Sequence, residues 1–119
     1  MSLKLTPKRL GAVYEMLRAF PPFSRWGLPP ASEVEFHVAK TDKHHAAWWI
    51  DGDKHHIEIS AKKHGWMASL LATMAHEMIH VRQRIAKTET RSVEHNAEFR
   101  KMVPAICRRF GFDPGQFLG

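Results

Sequence analysis

The residues best suited to chemistry are two histidines and a glutamate in the segment His76-Glu77-Met78-Ile79-His80, which has the form HExxH. On an α-helix, side chains four residues apart lie on the same face, so His76 and His80 can offer imidazole nitrogens to one metal ion. Glu77 follows the first histidine, where its carboxylate can reach a water on that ion and act as a general base. The segment predicts a catalytic zinc site whose third ligand comes from elsewhere in the chain.

The sequence around this motif has the pattern of a long helix. The stretch from about Trp66 to Ile85 contains neither Pro nor Gly. At helical spacing its apolar residues form one stripe, and the two histidines fall on roughly the opposite side. The residues of that stripe are Leu71, Met74, Met78 and Ile85. Ordinary histidines on an amphipathic helix are the alternative, but the coincidence of His, Glu and His on a predicted helix favours a metal site.

Four downstream residues are candidates for the third ligand. Zinc proteases use either a carboxylate or a histidine in this position, so residue type does not decide between them. Spacing does not decide either, because a short loop can bring any of these residues to the motif helix. The candidates are His95, Glu94, Glu98 and Glu89.

The remaining elements predict an α+β domain that positions this helix. Thr6-Pro7 marks the start of a first helix ending near Ala19, and Pro21-Pro22 terminates it. Alternating apolar residues predict strands at about 34–38, 46–50 and 55–59. The turn at 51–54 joins the last two strands as a hairpin. We therefore expect a small three-stranded antiparallel sheet packed on the HExxH helix.

A last helix is predicted to begin between Val93 and His95 and to end near Phe110. Pro104 lies inside this pattern and predicts a kink or a local break. Gly111 has the position of a C-terminal cap, and the stretch 113–115 has the composition of a turn before a short apolar tail. The N-terminal and C-terminal helices complete a single domain that spans residues 1–119.

Composition limits the class of protein. The chain has 119 residues, of which 44% are hydrophobic and 25% charged, and this balance is typical of one globular domain. It contains no apolar run long enough to cross a membrane and no signal-peptide core near its start, so we expect a cytoplasmic protein without a membrane partner. The single cysteine, Cys107, excludes an internal disulfide and a cysteine-rich zinc ribbon, and its position in an apolar stripe predicts a core residue.

The positive charge is concentrated in the half that carries the motif. The formal net charge is +6, and residues 61–119 hold ten Lys or Arg against five Asp or Glu. Such a surface attracts nucleic acid or acidic proteins, although a solvated basic surface without a specific ligand is an equal alternative. Trp48, Trp49 and Trp66 are candidates for stacking on bases, and core positions are the alternative for tryptophans in a hairpin.

Five further histidines lie in or near the predicted sheet. Neighbouring residues in a strand point to opposite faces, so the adjacent pairs cannot chelate one ion locally through both rings. Solvated or substrate-facing side chains are the favoured interpretation. These residues are His37, His44, His45, His55 and His56.

The motif and the segment that follows it fifteen residues later resemble the SprT-like metalloprotease domain, a family that includes the DNA-dependent protease Spartan. The family pattern is HExxH followed by His-Gly-x-x-Phe, and this chain has His95-Asn96-Ala97-Glu98-Phe99 in the second segment. Asn96 departs from the usual glycine, and a need for glycine there would alter the start of the last helix. The resemblance is specific over residues 76–99 and extends in element order from about residue 7 to 110.

The resemblance implies a zincin-like fold and a zinc-dependent endopeptidase with one Zn²⁺ ion. Carried over residue by residue, it assigns His95 as the third ligand beside His76 and His80, and Glu77 as the general base. It implies a protein or peptide substrate, with DNA-associated proteins as one class, and a location in the cytoplasm or at DNA. The chain resembles only the catalytic core of the family.

Other parts of the predicted site rest on position alone. Glu98 is a candidate to support a ligand by a hydrogen bond. An edge strand in the 45–60 region is expected to hold an extended substrate by backbone hydrogen bonds. Candidates for contacts with substrate or the transition state are His64, Trp66 and Arg91. The alternative functions are a basic nucleic-acid-binding module with a structural zinc site and a zinc peptidase unrelated to DNA.

Overall fold

A computed structural model of the protein describes residues 4–40, 43–61, 67–90 and 94–118. It is an α+β domain in which four helices pack with a three-stranded sheet. Short 3-10 turns at Phe23–Arg25 and Ala31–Glu33 join the first helix to the sheet. In chain order the elements are α1 Pro7–Arg18, β1 Val34–Ala39, β2 Ala46–Asp51, β3 Lys54–Ser60, α2 Met67–Ala86, α3 Ala97–Phe110 and α4 Pro114–Leu118.

The sheet has the strand order β1-β3-β2 and is mixed. β2 and β3 form the predicted antiparallel hairpin, with Ala46 opposite Ile59. β1 runs parallel to β3, with Val34 opposite His55, so the prediction of an antiparallel sheet is wrong. The turn at 51–54 specifies only the pairing of its own two strands. No local turn links β1 to β3, and β1 packs on α1 and β3, so contacts between residues far apart in the chain set its direction.

Helix α2 is the central element of the fold, because it contacts α1, α3, α4, β2 and β3. The prediction of one apolar stripe is therefore too simple. Ile85, predicted to lie in that stripe, is 40% exposed, whereas Glu77 and His80 are buried. The face that carries the histidines packs against α3 and α4, and His76 on this face is only partly buried.

Helix α1 confirms the predicted start and packs on β1 and α2. The Thr6 hydroxyl accepts a hydrogen bond from the Arg9 amide, and Pro7 occupies the first turn. The Tyr14 hydroxyl donates to the carbonyl of Pro29 at 2.7 Å, which ties the following loop to the helix. Helices α1, α2 and α3 and strand β3 all contribute fully buried residues to the core. These residues include Leu10, Tyr14, Leu17, Ile57, Ile59, Met74, Met78, Ile79, Phe99 and Ile106.

Helix α3 begins at Ala97, later than the predicted start between Val93 and His95. The helix continues through Pro104 without a break, so of the predicted kink or local break only the kink stays a prediction. Pro104 is exposed, and water can satisfy the carbonyl that the proline leaves without an amide partner. Gly111 ends the helix with φ of 78°, as predicted for a C-terminal cap. Cys107 is buried in the core.

The stretch 113–118 differs from the predicted turn and apolar tail. It forms the short helix α4, which contacts both α2 and α3. Phe117 is 4% exposed and lies in the hydrophobic core. Among the described helices, none is long and apolar enough to cross a membrane.

Asn96, where the resembled family has glycine, joins the end of α2 to the start of α3. Its φ of −74° is open to any residue, so this position does not require glycine. Its side-chain oxygen caps α3 by accepting from the Phe99 amide, and it also accepts from the Gln83 amide group at 2.8 Å. Its own amide group donates to the carbonyl of Thr88 at 2.9 Å. Asn96 therefore supplies both a helix cap and a partner for a side chain that is fully buried.

We predict that Asn96→Gly destabilises the protein by about 2 kcal/mol, because the buried Gln83 amide loses its shorter hydrogen bond. Glycine as a cap costs only a few tenths of a kcal/mol, so Thr6→Gly at the start of α1 is the matched control with a small expected loss. Urea unfolding of both variants measures the difference. Equal losses would show that the contact with Gln83 contributes nothing beyond the cap.

Candidate metal centre

The structure brings His76, His80 and His95 together at one point. Each offers a ring nitrogen, and these nitrogens all lie within 4.8 Å of one another. His76 and His80 lie one turn apart on α2, and His95 comes from the segment just before α3. The Nε2 atoms of His76 and His95 are 3.0 Å apart. Three imidazole nitrogens at these separations are close enough to hold one metal ion.

Phe99 is the common support of the three imidazole rings. Its ring centroid lies 5.0 Å from that of His76, 4.9 Å from that of His80 and 4.5 Å from that of His95. Phe99 itself is fully buried. Because α3 carries Phe99 against α2, the packing of these two helices also fixes the positions of the rings.

The orientation of His76 is set by α4. Its Nδ1 lies 3.0 Å from the backbone carbonyl of Phe117, which can only accept a hydrogen bond. Nδ1 therefore carries the ring proton, and Nε2 of the neutral ring keeps a lone pair directed towards His95. Sequence analysis missed the role of Phe117, and the only signal for it was the apolar tail after Gly115.

His80 is the most enclosed of the three histidines. It is 6% exposed, and among the described residues no hydrogen-bond partner reaches its buried Nε2. The indole ring of Trp48 in β2 stacks on the imidazole ring of His80, with 5.8 Å between the ring centroids. A buried nitrogen without a partner costs free energy, and a metal ion at the cluster would supply the missing partner.

Burial keeps the imidazoles of α2 uncharged. Burial, together with the neighbouring His76 and His95, lowers the pKa of His80 to about 3. Burial also lowers the pKa of His76, against an opposing effect of the Phe117 carbonyl. Both rings are therefore neutral at neutral pH, and the neutral imidazole is the form that binds metals.

Glu77 lies beside the cluster in a nearly enclosed position. It is 5% exposed. Burial raises the pKa of its carboxyl to about 8, and the negative charge of Glu94 contributes to the increase. A carboxyl group so placed is poised to exchange a proton near neutral pH, and a neighbouring cation would favour its ionised form.

A pocket of about 340 Å³ opens onto this cluster. Its floor includes His76, Glu77 and His95, and one wall is formed by the chain leading into β2. The pocket gives a small part of a larger molecule access to the nitrogen cluster and to Glu77 together. Its other lining residues are Lys43, His44, His45, Ala46, Ala72, Thr73, Glu94 and Phe117.

The three acidic candidates for the third ligand occupy different places. Glu89 pairs with Arg84 at 2.7 Å and lines a different pocket, together with Arg84 and Lys87. Glu98 pairs with Lys101 at 3.0 Å and, among the described residues, forms no hydrogen bond with any of the three histidines. Because α3 starts at Ala97, Glu98 lies on the first turn with its side chain half exposed. Glu94 lies at the cluster, with its Oε1 3.8 Å from Nε2 of His80.

The candidates for contacts with substrate or the transition state, namely His64, Trp66 and Arg91, lie outside the described residues. Among the sheet histidines, His55 is buried and accepts a hydrogen bond from the Trp48 indole, so the interpretation of a solvated side chain is wrong for it. His44 and His45 line the pocket. His37, His56 and Trp49 stack together on the open face of the sheet, away from α2.

We predict that the protein binds one equivalent of Zn²⁺ and that His95→Ala weakens the binding more than about 100-fold. Loss of a hydrogen-bond partner behind a ligand already costs about 10- to 100-fold, and loss of a ligand costs more. Competition with a chromophoric chelator measures the affinity. His37→Ala, which removes a histidine on the open face of the sheet, is the matched control and should leave the affinity unchanged. A similar loss in both variants would place the ion elsewhere.

We predict that Glu77→Gln stabilises the metal-free protein by about 3 kcal/mol at pH 7, since each pKa unit corresponds to about 1.4 kcal/mol. The folded-state pKa of about 8 exceeds the ordinary value of 4.5, so the folded protein retains a proton that the unfolded chain releases. The stability of the native sequence therefore falls as pH rises from about 4.5 to about 8, and glutamine removes this loss.

Urea unfolding in the presence of a chelator, at the two ends of this pH range, measures the effect. The difference between the two proteins should vanish at the acidic end. A difference that is independent of pH would mean that Glu77 is not held in its protonated form by burial.

No protein-family model matches the chain, and no curated protein matches it.

Proposed function

We propose that the protein is a zinc-dependent endopeptidase of the SprT-like type. The observation that carries the proposal is the convergence of three histidine nitrogens beside a buried glutamate, at the floor of a pocket. Neutral imidazoles and an adjacent carboxyl group are the groups that a hydrolytic zinc site needs. The metal, the reaction and the family are all part of this proposal.

Zinc suits the donor set better than a hard cation would. Three imidazole nitrogens are typical ligands of Zn²⁺, whereas Mg²⁺ and Ca²⁺ prefer oxygen. His76, His80 and His95 would hold the ion and leave room for a further ligand on the pocket side. A bound zinc ion supplies Lewis acidity, which lowers the pKa of a coordinated water towards about 7 and polarises a carbonyl group.

Glu77 acts as the general base in this proposal. Its carboxylate takes a proton from the attacking water and delivers it to the nitrogen of the leaving amine. Burial without a cation keeps Glu77 protonated at neutral pH, and a nearby positive charge favours the ionised form that the reaction requires. The same carboxyl group can thus accept and return a proton within one cycle.

β2 is the strand proposed to bind substrate. β3 lies between β1 and β2 and is paired on both sides, so the sequence-based expectation for the 45–60 region applies to β2 alone. β2 is an edge strand that contacts α2, and its first residue, Ala46, lines the pocket. An extended peptide along this edge would form backbone hydrogen bonds and pass the nitrogen cluster.

The basic surface favours association with DNA or with acidic proteins. DNA-associated proteins are therefore the proposed substrate class. Several cations of residues 61–119 are exposed among the described residues, including Arg100, Arg108 and Arg109. They would favour association with DNA or with an acidic partner, and the affinity would fall with added salt.

A nucleic-acid-binding module with a structural zinc site is the alternative function. Structural sites are usually closed by four protein ligands, and the cluster contains three histidines, of which His76 and His95 line a pocket. Trp48, one of the tryptophans considered for base stacking, packs on His80 and donates to His55. Trp49 is 38% exposed and stacks on histidines of its own sheet. The proposed protease therefore accounts for more of these observations than the nucleic-acid-binding module does.

We predict that the zinc-loaded protein cleaves a basic, loosely folded protein and that Glu77→Gln lowers the rate at least about 100-fold, the usual contribution of a general base. Gel electrophoresis of the substrate, with and without single-stranded DNA, measures cleavage. Glu98→Gln is the matched control, because it removes an acidic group on the neighbouring helix that lies away from the histidines. This control should cleave at the native rate.

Three results separate the functions. Cleavage that requires Glu77 and increases with DNA supports a DNA-linked protease. Cleavage that requires Glu77 and is unaffected by DNA supports a peptidase without that link. Tight DNA binding with no cleavage, by a protein that has bound its zinc, would replace the protease with the binding module.

A further inference from the structure

Glu94 occupies a position that the proposed reaction does not use. Its Oε1 lies 3.8 Å from Nε2 of His80 and 3.9 Å from Nε2 of His95. Both distances are too long for hydrogen bonds, and they are almost equal. The carboxylate oxygen is thus almost equidistant from these two nitrogens and forms a hydrogen bond with neither histidine.

Among the described residues, no Lys or Arg side chain lies within 4.0 Å of the Glu94 carboxylate. The neighbouring acids on either side along the chain are paired, Glu89 with Arg84 and Glu98 with Lys101. The basic side chains that do lie within 4.0 Å of Glu94 in the described part of the chain are His80 and His95, and the ring of His80 is neutral. The Glu94 side chain is 78% exposed, and it lines the pocket together with Glu77.

The coordination chemistry of zinc indicates a role for a carboxylate at the position of Glu94. Zn²⁺ is usually four-coordinate in proteins, and carboxylate oxygens are common ligands beside histidine. Structural sites are closed by a fourth protein ligand, whereas catalytic sites keep that position for water or substrate. A carboxylate on the pocket side of three imidazoles can close the site, and its withdrawal can open it.

We propose that Glu94 is a fourth, displaceable ligand that closes the metal centre until substrate takes its place. This inference rests on the proposed zinc centre. The exposure of the side chain makes the ligand displaceable, because binding it must order a group that is otherwise free in water. His76 is different, since the Phe117 carbonyl holds its ring in the binding orientation. While Glu94 is bound to the metal, an external ligand can bind only to the fraction of centres that are open. The apparent affinity for that ligand is therefore reduced in proportion to this fraction.

A centre closed by Glu94 also has low activity before substrate binds, without a separate inhibitor. A substrate competes with Glu94 for one coordination position. Weakly held peptides then compete poorly, while a substrate anchored along β2 has the additional binding free energy needed to displace the carboxylate. The fourth ligand would therefore select for substrates that are held elsewhere on the protein.

The test uses the full chain with one equivalent of Co²⁺, whose visible spectrum reports its ligand set. The native protein, Glu94→Gln and the control Glu98→Gln are titrated with imidazole. Imidazole is chosen because it is neutral, so that loss of a negative charge does not by itself attract it. We expect Glu94→Gln to change the cobalt spectrum and to bind imidazole at least about tenfold more tightly, since no carboxylate competes. Glu98→Gln should match the native protein in both respects.

Each other result contradicts the proposal. An unchanged spectrum and unchanged imidazole affinity in Glu94→Gln would show that Glu94 is not a ligand. A folded Glu94→Gln that no longer holds Co²⁺ would make Glu94 an obligatory structural ligand instead of a displaceable one. Failure of the native protein to bind Co²⁺ would overturn the metal centre itself, and with it the proposed function. The readout does not depend on proteolysis, so a metal centre without protease activity leaves the test of Glu94 intact.

Discussion

The packing of Phe99 against three imidazole rings is the contact on which the candidate site depends. One fully buried side chain of α3 lies within about 5 Å, centroid to centroid, of His76, His80 and His95. The hydrophobic contact between α2 and α3 and the assembly of the nitrogen cluster are therefore the same event. The contacts that stabilise the fold therefore also position the site, because α2 carries the polar groups into the core and α3 packs over them.

The local parts of this arrangement could be predicted from the sequence. The i, i+4 spacing of His76 and His80 follows from helical geometry, and Thr6 and Gly111 mark helix ends through conformations that depend on few neighbours. The hairpin of β2 and β3 is likewise specified by its own turn. His95 was one of four candidates on spacing alone, and only the resemblance selected it. Its position beside His76 depends on how α3 packs.

The remaining parts depend on contacts between residues far apart in the chain. Alternating apolar residues show which face of β1 is buried, but they carry no information on whether β1 runs parallel to β3. The cap formed by Asn96 moves the start of α3 to Ala97, beyond the predicted 93–95, and Glu98 in the first turn pairs with Lys101. Asn96 could be recognised as a cap residue, but its second partner, Gln83, could not.

The hydrogen bond between His76 and the Phe117 carbonyl gives the short helix α4 a thermodynamic role. The carbonyl favours the one tautomer of His76 that leaves Nε2 free. Anything that binds this nitrogen must therefore strengthen the docking of α4, and docking of α4 must strengthen that binding by the same factor. A helix of five residues is in this way coupled by reciprocity to the occupancy of the centre.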